Sequence, residues 1–351
     1  MASLLRLGCA IDGTAEGQDV VNRQSTLRDV ARIAGVSMRT ASRVLNDDAR
    51  VADLTRQRVQ DVIRDLSFTP DSMARSLRAG TDATIGIVVE SVDDPFFSRL
   101  VAAVELAASE SARPVLIAST RRDAGRERTV VEQLVRRRVS GLLLAPTAGD
   151  HSWLQPMLAH TPVVLVDRPA PGLAADLVGV DDRAATASAV DHLASHGHRR
   201  IAYVGDHPGI PTSRARLAGY REAMAARGLD VSGDLIRADC PDPASAAAAT
   251  ATLLAEQAPT AIVSGATRCS LGVVPRLHAE KRTDVAVVGF GDFTMADTLE
   301  PGITVIDHPA DAIGTMAVDR LTARMADRDL PAMTIHLPVH LIRRGSGELP
   351  V

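Results

Sequence analysis

Thr26-Leu-Arg-Asp-Val-Ala-Arg-Ile-Ala-Gly-Val-Ser-Met-Arg-Thr-Ala-Ser-Arg-Val-Leu-Asn46 decides the reading of this chain. Val30, Ile33 and Ala34 recur at helical spacing. Thr26 can cap that helix, and Asp29 in its first turn suits the helix dipole. Gly35-Val36 then turns the chain, and Ser37 caps a second helix that runs to about Leu45. Its inner face is Ala41, Val44 and Leu45, and Asn46-Asp47-Asp48 ends it. A third helix is expected from about Thr55, presenting Val59, Val62, Ile63 and Leu66 inward, with Phe68 following. Two short helices joined by a tight glycine turn and closed by a third make a helix-turn-helix unit.

This unit is basic on an acidic body. The 351-residue chain has a formal net charge of −4. Gln24 to Gly80 holds ten Arg against seven Asp, so the remainder carries about seven net negative charges. A basic end of this kind points to a polyanionic partner. Hydrophobic residues make up 46%, enough for a substantial core and against a disordered chain. No apolar run approaches the roughly 20 residues of a membrane span, so no membrane partner is expected. Leu7-Gly8-Cys9 faintly resembles a lipoprotein cleavage site, but Arg6 interrupts an apolar stretch too short for a signal sequence. Cys9, Cys240 and Cys269 are far apart and form no CxxC pair, which fits a reducing cytoplasm and argues against a metal site.

After Gly80 the pattern changes. Thr84–Glu90, Pro114–Ser119, Gly141–Ala145 and Pro162–Asp167 are continuous apolar runs separated by stretches with helical spacing. Buried parallel strands read this way. A second series follows at Arg200–Gly205, Leu235–Ala238, Thr260–Ser264 and Asp284–Gly289, with a final strand pair expected within Thr334–Arg343. Two strand–helix series predict an α/β core of two doubly wound lobes with a cleft between them.

On the second helix, Ser37, Met38, Arg39 and Thr40 form the first turn, and Arg43 lies four residues after Arg39. Both guanidiniums then share one outer face. A recognition helix needs this layout, because its N-terminal side chains reach base edges while its back packs on the domain. Arg suits bidentate contact with guanine. Arg32, Arg56 and Arg58 are candidates for phosphate contact, which positions without specifying. The plainer alternative is a solvated basic face. Pro70 to Gly80 reads as one short helix, too short to be stable alone, so it needs a partner. Met73 and Leu77 form an apolar edge for a symmetric mate, or Leu77 is a wedge between base pairs. A plain polar linker is the other reading.

The Thr26–Asn46 stretch resembles the N-terminal signature of the lactose/galactose-repressor (LacI/GalR) family, and Pro70…Ala74-Arg-Ser-Leu-Arg78 resembles that family's hinge helix. The likeness continues through Asp94-Pro-Phe-Phe97, Val166-Asp-Arg168, Gly197–Ala202, Arg216–Tyr220 and Val287–Phe290, spanning about residues 25 to 345. The resemblance implies a homodimeric transcription regulator that binds a palindromic double-stranded operator. Its all-α helix-turn-helix domain and hinge helix would precede an α/β two-lobed, periplasmic-binding-protein-like core with parallel sheets. The boundaries are a tail at 1–24, the helix-turn-helix domain at 25–70, the hinge at 71–80 and the core at 81–351. The lobes are placed at about 81–181 with 308–328 and 182–307 with 329–345. By the resemblance Met38, Arg39 and Arg43 read the major groove, while Thr26, Ser37, Thr40 and Asn46 help hold DNA. Leu77 inserts at the operator centre, with Ala74 and Arg78 beside it.

The resemblance also implies a small-molecule effector, a sugar or related metabolite, between the lobes. Matching residues are Phe96 and Phe97 as an apolar wall, with core packing the equal alternative for one of them, Thr212, and Arg216 as an anchoring guanidinium, whose alternative is an interlobe salt bridge. Cys240 stands where many relatives have an aromatic platform, and Ala266-Thr267 stand where Asn-Asp is common. Gly291-Asp292 replaces a usual Asp-Asp. A site built to pair hydroxyls loses discrimination when those partners go. The expectation is an effector that is smaller than a standard hexose or anionic, or a regulator with no effector.

Other classes fit less well. No GxGxxG follows the first strand, and neither GxxxxGK[ST] nor GxSxG occurs, so no enzyme activity and no cofactor are expected. His192, His196 and His198 read as solvated or capping residues rather than metal ligands. Asp181-Asp182 reads as a helix start. A solute-binding transport protein would need an export signal and no helix-turn-helix.

Overall fold

The computed structural model describes residues 26–45, 48–66, 68 and 84–351. The chain divides into two compact units, Met1–Ala79 and Gly80–Val351. In the first, helix α1 spans Leu27–Ile33, α2 Met38–Leu45 and α3 Asp53–Asp65. Thr26 and Asp29 form a reciprocal capping box on α1, which satisfies two orphan amides. Gly35 carries the turn at φ +65°, a conformation open to glycine without penalty. Val30, Ala31, Ala34, Ala41, Val44, Val51, Val59 and Phe68 make the core. Ile33, expected inside from its spacing, is 49% exposed. Helix α3 begins two residues before the expected Thr55.

The second unit holds two six-stranded sheets. In chain order its elements begin with β1 (Ile85–Val89), α4 (Pro95–Ser109), β2 (Val115–Ser119), α5 (Ala124–Arg136) and β3 (Gly141–Leu144). The short α6 (Gln155–Leu158), β4 (Val163–Asp167), β5 (Asp176–Val180) and α7 (Asp182–Ser195) follow. Next come β6 (Ile201–Val204), α8 (Pro211–Ala226), β7 (Ile236–Arg237), α9 (Pro243–Glu256), β8 (Ala261–Ser264) and α10 (Thr267–Ala279). The series ends with β9 (Ala286–Phe290), β10 (Thr304–Ile306), α11 (Ala310–Ala326), β11 (Thr334–Leu337) and β12 (Leu341–Ile342). The first sheet runs β11-β5-β4-β3-β1-β2, all parallel. The second runs β12-β10-β9-β8-β6-β7, parallel except for β12 against β10.

The expected strand pair near the C-terminus, placed wholly in the second lobe at 329–345, is split: β11 extends the first sheet and β12 the second. Asp176 explains the anchoring of β11. It is fully buried between Arg320 and Arg324 of α11, and it accepts the Met333 amide at 3.0 Å. Strands β5 and β10 were missed because β5 opens on Asp176 and carries Gly179 within its run, and β10 is only three residues long. The chain therefore passes between the lobes three times, after β5, after β10 and after β11, and one apolar cluster continues from Ile85 and Val178 to Tyr203 and Val288.

The histidine reading also needs correction. His192 and His198 are buried rather than solvated, bound to Glu348 at 2.7 Å and to the Leu349 carbonyl at 3.0 Å, and so tie the C-terminal segment to α7. His196 ends α7, as the capping reading has it.

Candidate nucleic-acid interface and interlobe cleft

In the first unit Ser37 Oγ accepts the Thr40 amide at 3.1 Å, which opens α2. Helix α2 turns Ala41 and Val44 into the core, so Met38 and Arg39 are left exposed and Arg43 half-exposed. Met38, Arg39, Ser42, Arg43, Asp48 and Arg50 line one surface concavity. Asn46, Ala74, Leu77 and Arg78 lie outside the described residues.

In the second unit a cleft forms at the carboxyl ends of both parallel sheets, where ligands sit in open α/β folds. Each strand end delivers a polar residue. Glu90 follows β1, Arg122 follows β2, Thr147 follows β3, and Asp167-Arg168 closes β4. From the second lobe come Asp206 after β6, Arg268 on the first turn of α10 and Arg216 on α8. Asp167 and Arg122 take φ of +69° and +64°, a backbone region that non-glycine residues rarely occupy and that marks functional sites.

Every Arg here meets a carboxylate. Arg122 donates Nε to Glu90 at 2.7 Å and crosses the cleft to Asp206 with two bonds, at 3.1 and 2.8 Å. Arg268 crosses the other way, to Glu90 and, at 2.8 Å, to Asp94. Arg168 pairs with Asp167 at 2.8 Å and Glu90 at 3.2 Å. Arg216 pairs with Asp182 at 2.6 Å and donates to the Gly265 carbonyl at 3.0 Å, with its guanidinium 3.7 Å from the centre of the Phe290 ring.

Beside this network lies a cavity of about 260 Å³. Glu90, Arg122, Arg168, Thr147, His207 and Asp239 supply its polar lining, and Ala145, Pro146, Ala148, Ile210 and Pro241 the rest. Buried Glu127 holds one wall by accepting the Thr147 amide at 2.6 Å and binding His151 at 2.7 Å. Thr147 Oγ1 in the cavity wall and the buried Tyr203 Oη have no hydrogen-bond partner, while Asp167 Oδ1 and His308 Nε2 have only each other, at 3.4 Å. Buried polar groups are normally satisfied, so Thr147 Oγ1 offers the cavity a free hydroxyl for water or a ligand.

None of the seven residues expected to hold an effector lines this cavity. Phe97 is core, 1% exposed, and Phe96 stacks on His308 with centroids 3.8 Å apart. The protein's own imidazole thus covers that ring. Thr212 and Cys240 are buried, the latter in an apolar cluster. Gly291 has φ +84°, and a Cβ there would lie 2.3 Å from Thr267 Oγ1. Asp292 is held by Arg344 with bonds of 2.7 and 2.6 Å. Asp182, read as a helix start, is that and also the partner of Arg216. Glu90, Arg122, Arg268, Asp206 and Thr147 were missed, because single polar residues beyond strand ends carry no spacing signal.

Burial and the neighbouring Glu90 push the Asp94 carboxyl up to about 6. Burial pushes Asp182 up to about 6 and His308 down to about 3, leaving the imidazole neutral at physiological pH. Asp94 and Asp182 therefore bind protons more readily folded than unfolded. The stability they contribute is complete below about pH 4 and is lost as pH rises through about 6. Asp94→Asn keeps the helix cap and should remove part of that slope. In thermal melts from pH 4.5 to 7, the variant should gain on the wild type as pH rises. Parallel curves would contradict the assignment.

The fold and the two sites define a DNA-binding head joined to a two-lobed, ligand-cleft core. Residues 26–71 match the family model for bacterial regulatory proteins of the lacI family, and residues 190–347 match a periplasmic binding protein-like domain. The chain is 30% identical over 331 residues to the transcriptional regulator GalR of Escherichia coli K12, covering 93% of this chain and 96% of that one. It is 31% identical to the ribose operon repressor of the same strain, covering 92% and 100%. The lac repressor dimer bound to operator and the anti-inducer ONPF superposes with a TM-score of 0.82, at 25% identity, over 93% of this chain and 99% of that one. A complex of the regulator CelR with cellobiose gives 0.68, at 28% identity, over 92% and 99%. The chain belongs to the LacI family, and it is a DNA-binding transcriptional regulator.

Proposed function

We propose that the chain is a cytoplasmic homodimeric repressor that occludes a two-fold operator, and that a small metabolite in the interlobe cleft sets operator affinity. The observation that carries the DNA reading is the α2 face, with Arg39 and Arg43 one turn apart above a fully packed back. Met38, Arg39 and Arg43 read base edges, and Thr26, Ser37, Thr40 and Asn46 hold the backbone. Two half-sites lie about one helical turn apart, set by the dimer axis. Leu106 on α4 and Leu116 and Ile117 on the edge strand β2 are apolar and exposed, which supports a face for the second copy. No helix among the described residues is long and apolar enough to cross a membrane. The regulatory reading, not an enzymatic one, follows from the family.

The cavity of about 260 Å³ and the unpartnered Thr147 hydroxyl in its wall support a ligand in the cleft. The pairing of every cleft Arg argues against the anionic effector expected from Arg216, since an anion would have to displace a carboxylate. A ligand adding no net charge fits better, and its differential affinity for the lobe arrangements would shift DNA binding. The same pairing also favours a second reading, in which ion pairs alone hold the cleft and no metabolite acts. Calorimetric titration with neutral pentoses and hexoses, sugar acids and sugar phosphates separates the two. Saturable binding by a neutral compound supports the first, and heat from none of them supports the second.

Leu77→Ala tests the hinge assignment. Specific binding should weaken more than non-specific binding, because a wedge acts only on a kinked site. Equal losses on operator and random duplex in a mobility-shift assay would remove that role.

A further inference from the structure

Asp48 places a carboxylate on the surface that the DNA reading assigns to polyanion contact. Its backbone is fixed from both sides. The amide donates to the Arg43 carbonyl at 3.0 Å, at the end of α2, and the carbonyl accepts Arg56 Nη2 at 2.8 Å. The carboxylate, 17% exposed, holds Arg50 through two side-chain bonds, Nε to Oδ1 at 2.9 Å and Nη2 to Oδ2 at 2.8 Å. The Arg50 amide adds a third bond, to Oδ1 at 3.0 Å. Arg43 Nε lies 3.6 Å from Oδ2. Asp48 thus holds Arg50 by hydrogen bonds and Arg43 by a longer ion pair, in the concavity shared with Met38 and Arg39.

A surface shaped for affinity alone would carry no carboxylate here, because phosphates repel it and each free Arg adds counterion release. The same carboxylate has value for selectivity. A carboxylate lying along the Nε edge of Arg43 attracts that edge and so turns the Nη groups outward, toward bidentate base reading. An unanchored Arg takes any phosphate within reach and gains affinity without sequence information.

We propose that Asp48 is a specificity-determining residue, which positions Arg43 for base-edge contact and holds Arg50 back from phosphate. The proposal rests on α2 being the reading helix. Asp48 itself touches no base.

The test uses full-length protein with Asp48→Asn, Asp48→Glu, Arg39→Ala and Arg43→Ala substitutions. Fluorescence anisotropy would follow binding to the selected operator, its single-base-pair variants and a non-specific duplex, at about 50 and 200 mM salt. With Asp48→Asn, non-specific affinity should rise severalfold, and the salt slope should steepen by about one phosphate. Discrimination should fall about tenfold at the base pairs that Arg43→Ala also relaxes, and stay intact at those that Arg39→Ala relaxes. Asp48→Glu should restore part of it. A surface ion pair without this role leaves the base profile unchanged, and that result overturns the proposal. Should the Asn variant fail to fold, Arg50→Gln carries the test: with Asp48 still holding Arg43, the base profile should persist and non-specific affinity should not fall. A fall as large as the loss of a phosphate contact overturns it. A wild type with no operator preference, or an Arg39→Ala profile like the wild type's, is a different failure, that of the α2 reading itself.

Discussion

Glu90→Ala should destabilise the core by about 3 kcal/mol, with its urea midpoint lowered and its denaturant slope unchanged. Glu90 is buried and serves Arg122, Arg168 and Arg268 at once. Removing it leaves three buried or half-buried guanidiniums to share Asp94, Asp167 and Asp206. Breaking a buried pair costs more than the pair contributes, because the surviving charge stays desolvated. Two of the three ion pairs that cross the cleft would remain, Arg122 with Asp206 and Arg268 with Asp94. Glu90→Gln should cost less, since the amide still accepts hydrogen bonds. Urea unfolding of the three proteins measures both, and a loss under about 1 kcal/mol for Ala would place the network among surface pairs of little worth.

The second large effect falls on DNA binding. Arg39→Ala and Arg43→Ala should each weaken operator binding by about 1 to 3 kcal/mol and relax preference at different base pairs. They share one helix face, so the double variant need not equal the sum. Non-specific binding should change only through lost phosphate attraction, seen as a shallower salt dependence. Operator competition at fixed salt separates the two terms. Uniform weakening on all sequences would return both residues to a solvated basic face.

The head was legible in the sequence because its signals are local. The Thr26 cap, the Gly35 turn and the inward Ala41 and Val44 are all read within a few residues. Ile33 escaped that logic because three short helices cannot cover every apolar side chain. Most parallel strands were legible as continuous apolar runs, but β5, with Asp176 and Gly179 in it, and the three-residue β10 were not. The cleft was the least legible part. Arg216 was visible as an Arg, yet its neutralisation by Asp182 and its stacking on Phe290 depend on three separate segments. Phe96 looked like a wall for a ring, and His308, more than two hundred residues later, supplies that ring. The seven positions taken from the resemblance line no part of the cavity, because partners distant in the chain cover or neutralise several of them.

The most direct test of the account is selection of bound fragments from genomic DNA by the purified full-length protein, followed by sequencing. The account predicts a pseudo-palindrome with half-sites about one helical turn apart, retained at moderate salt. Fragments sharing no motif, with binding lost as salt rises, would mean phosphate contact alone and would contradict it.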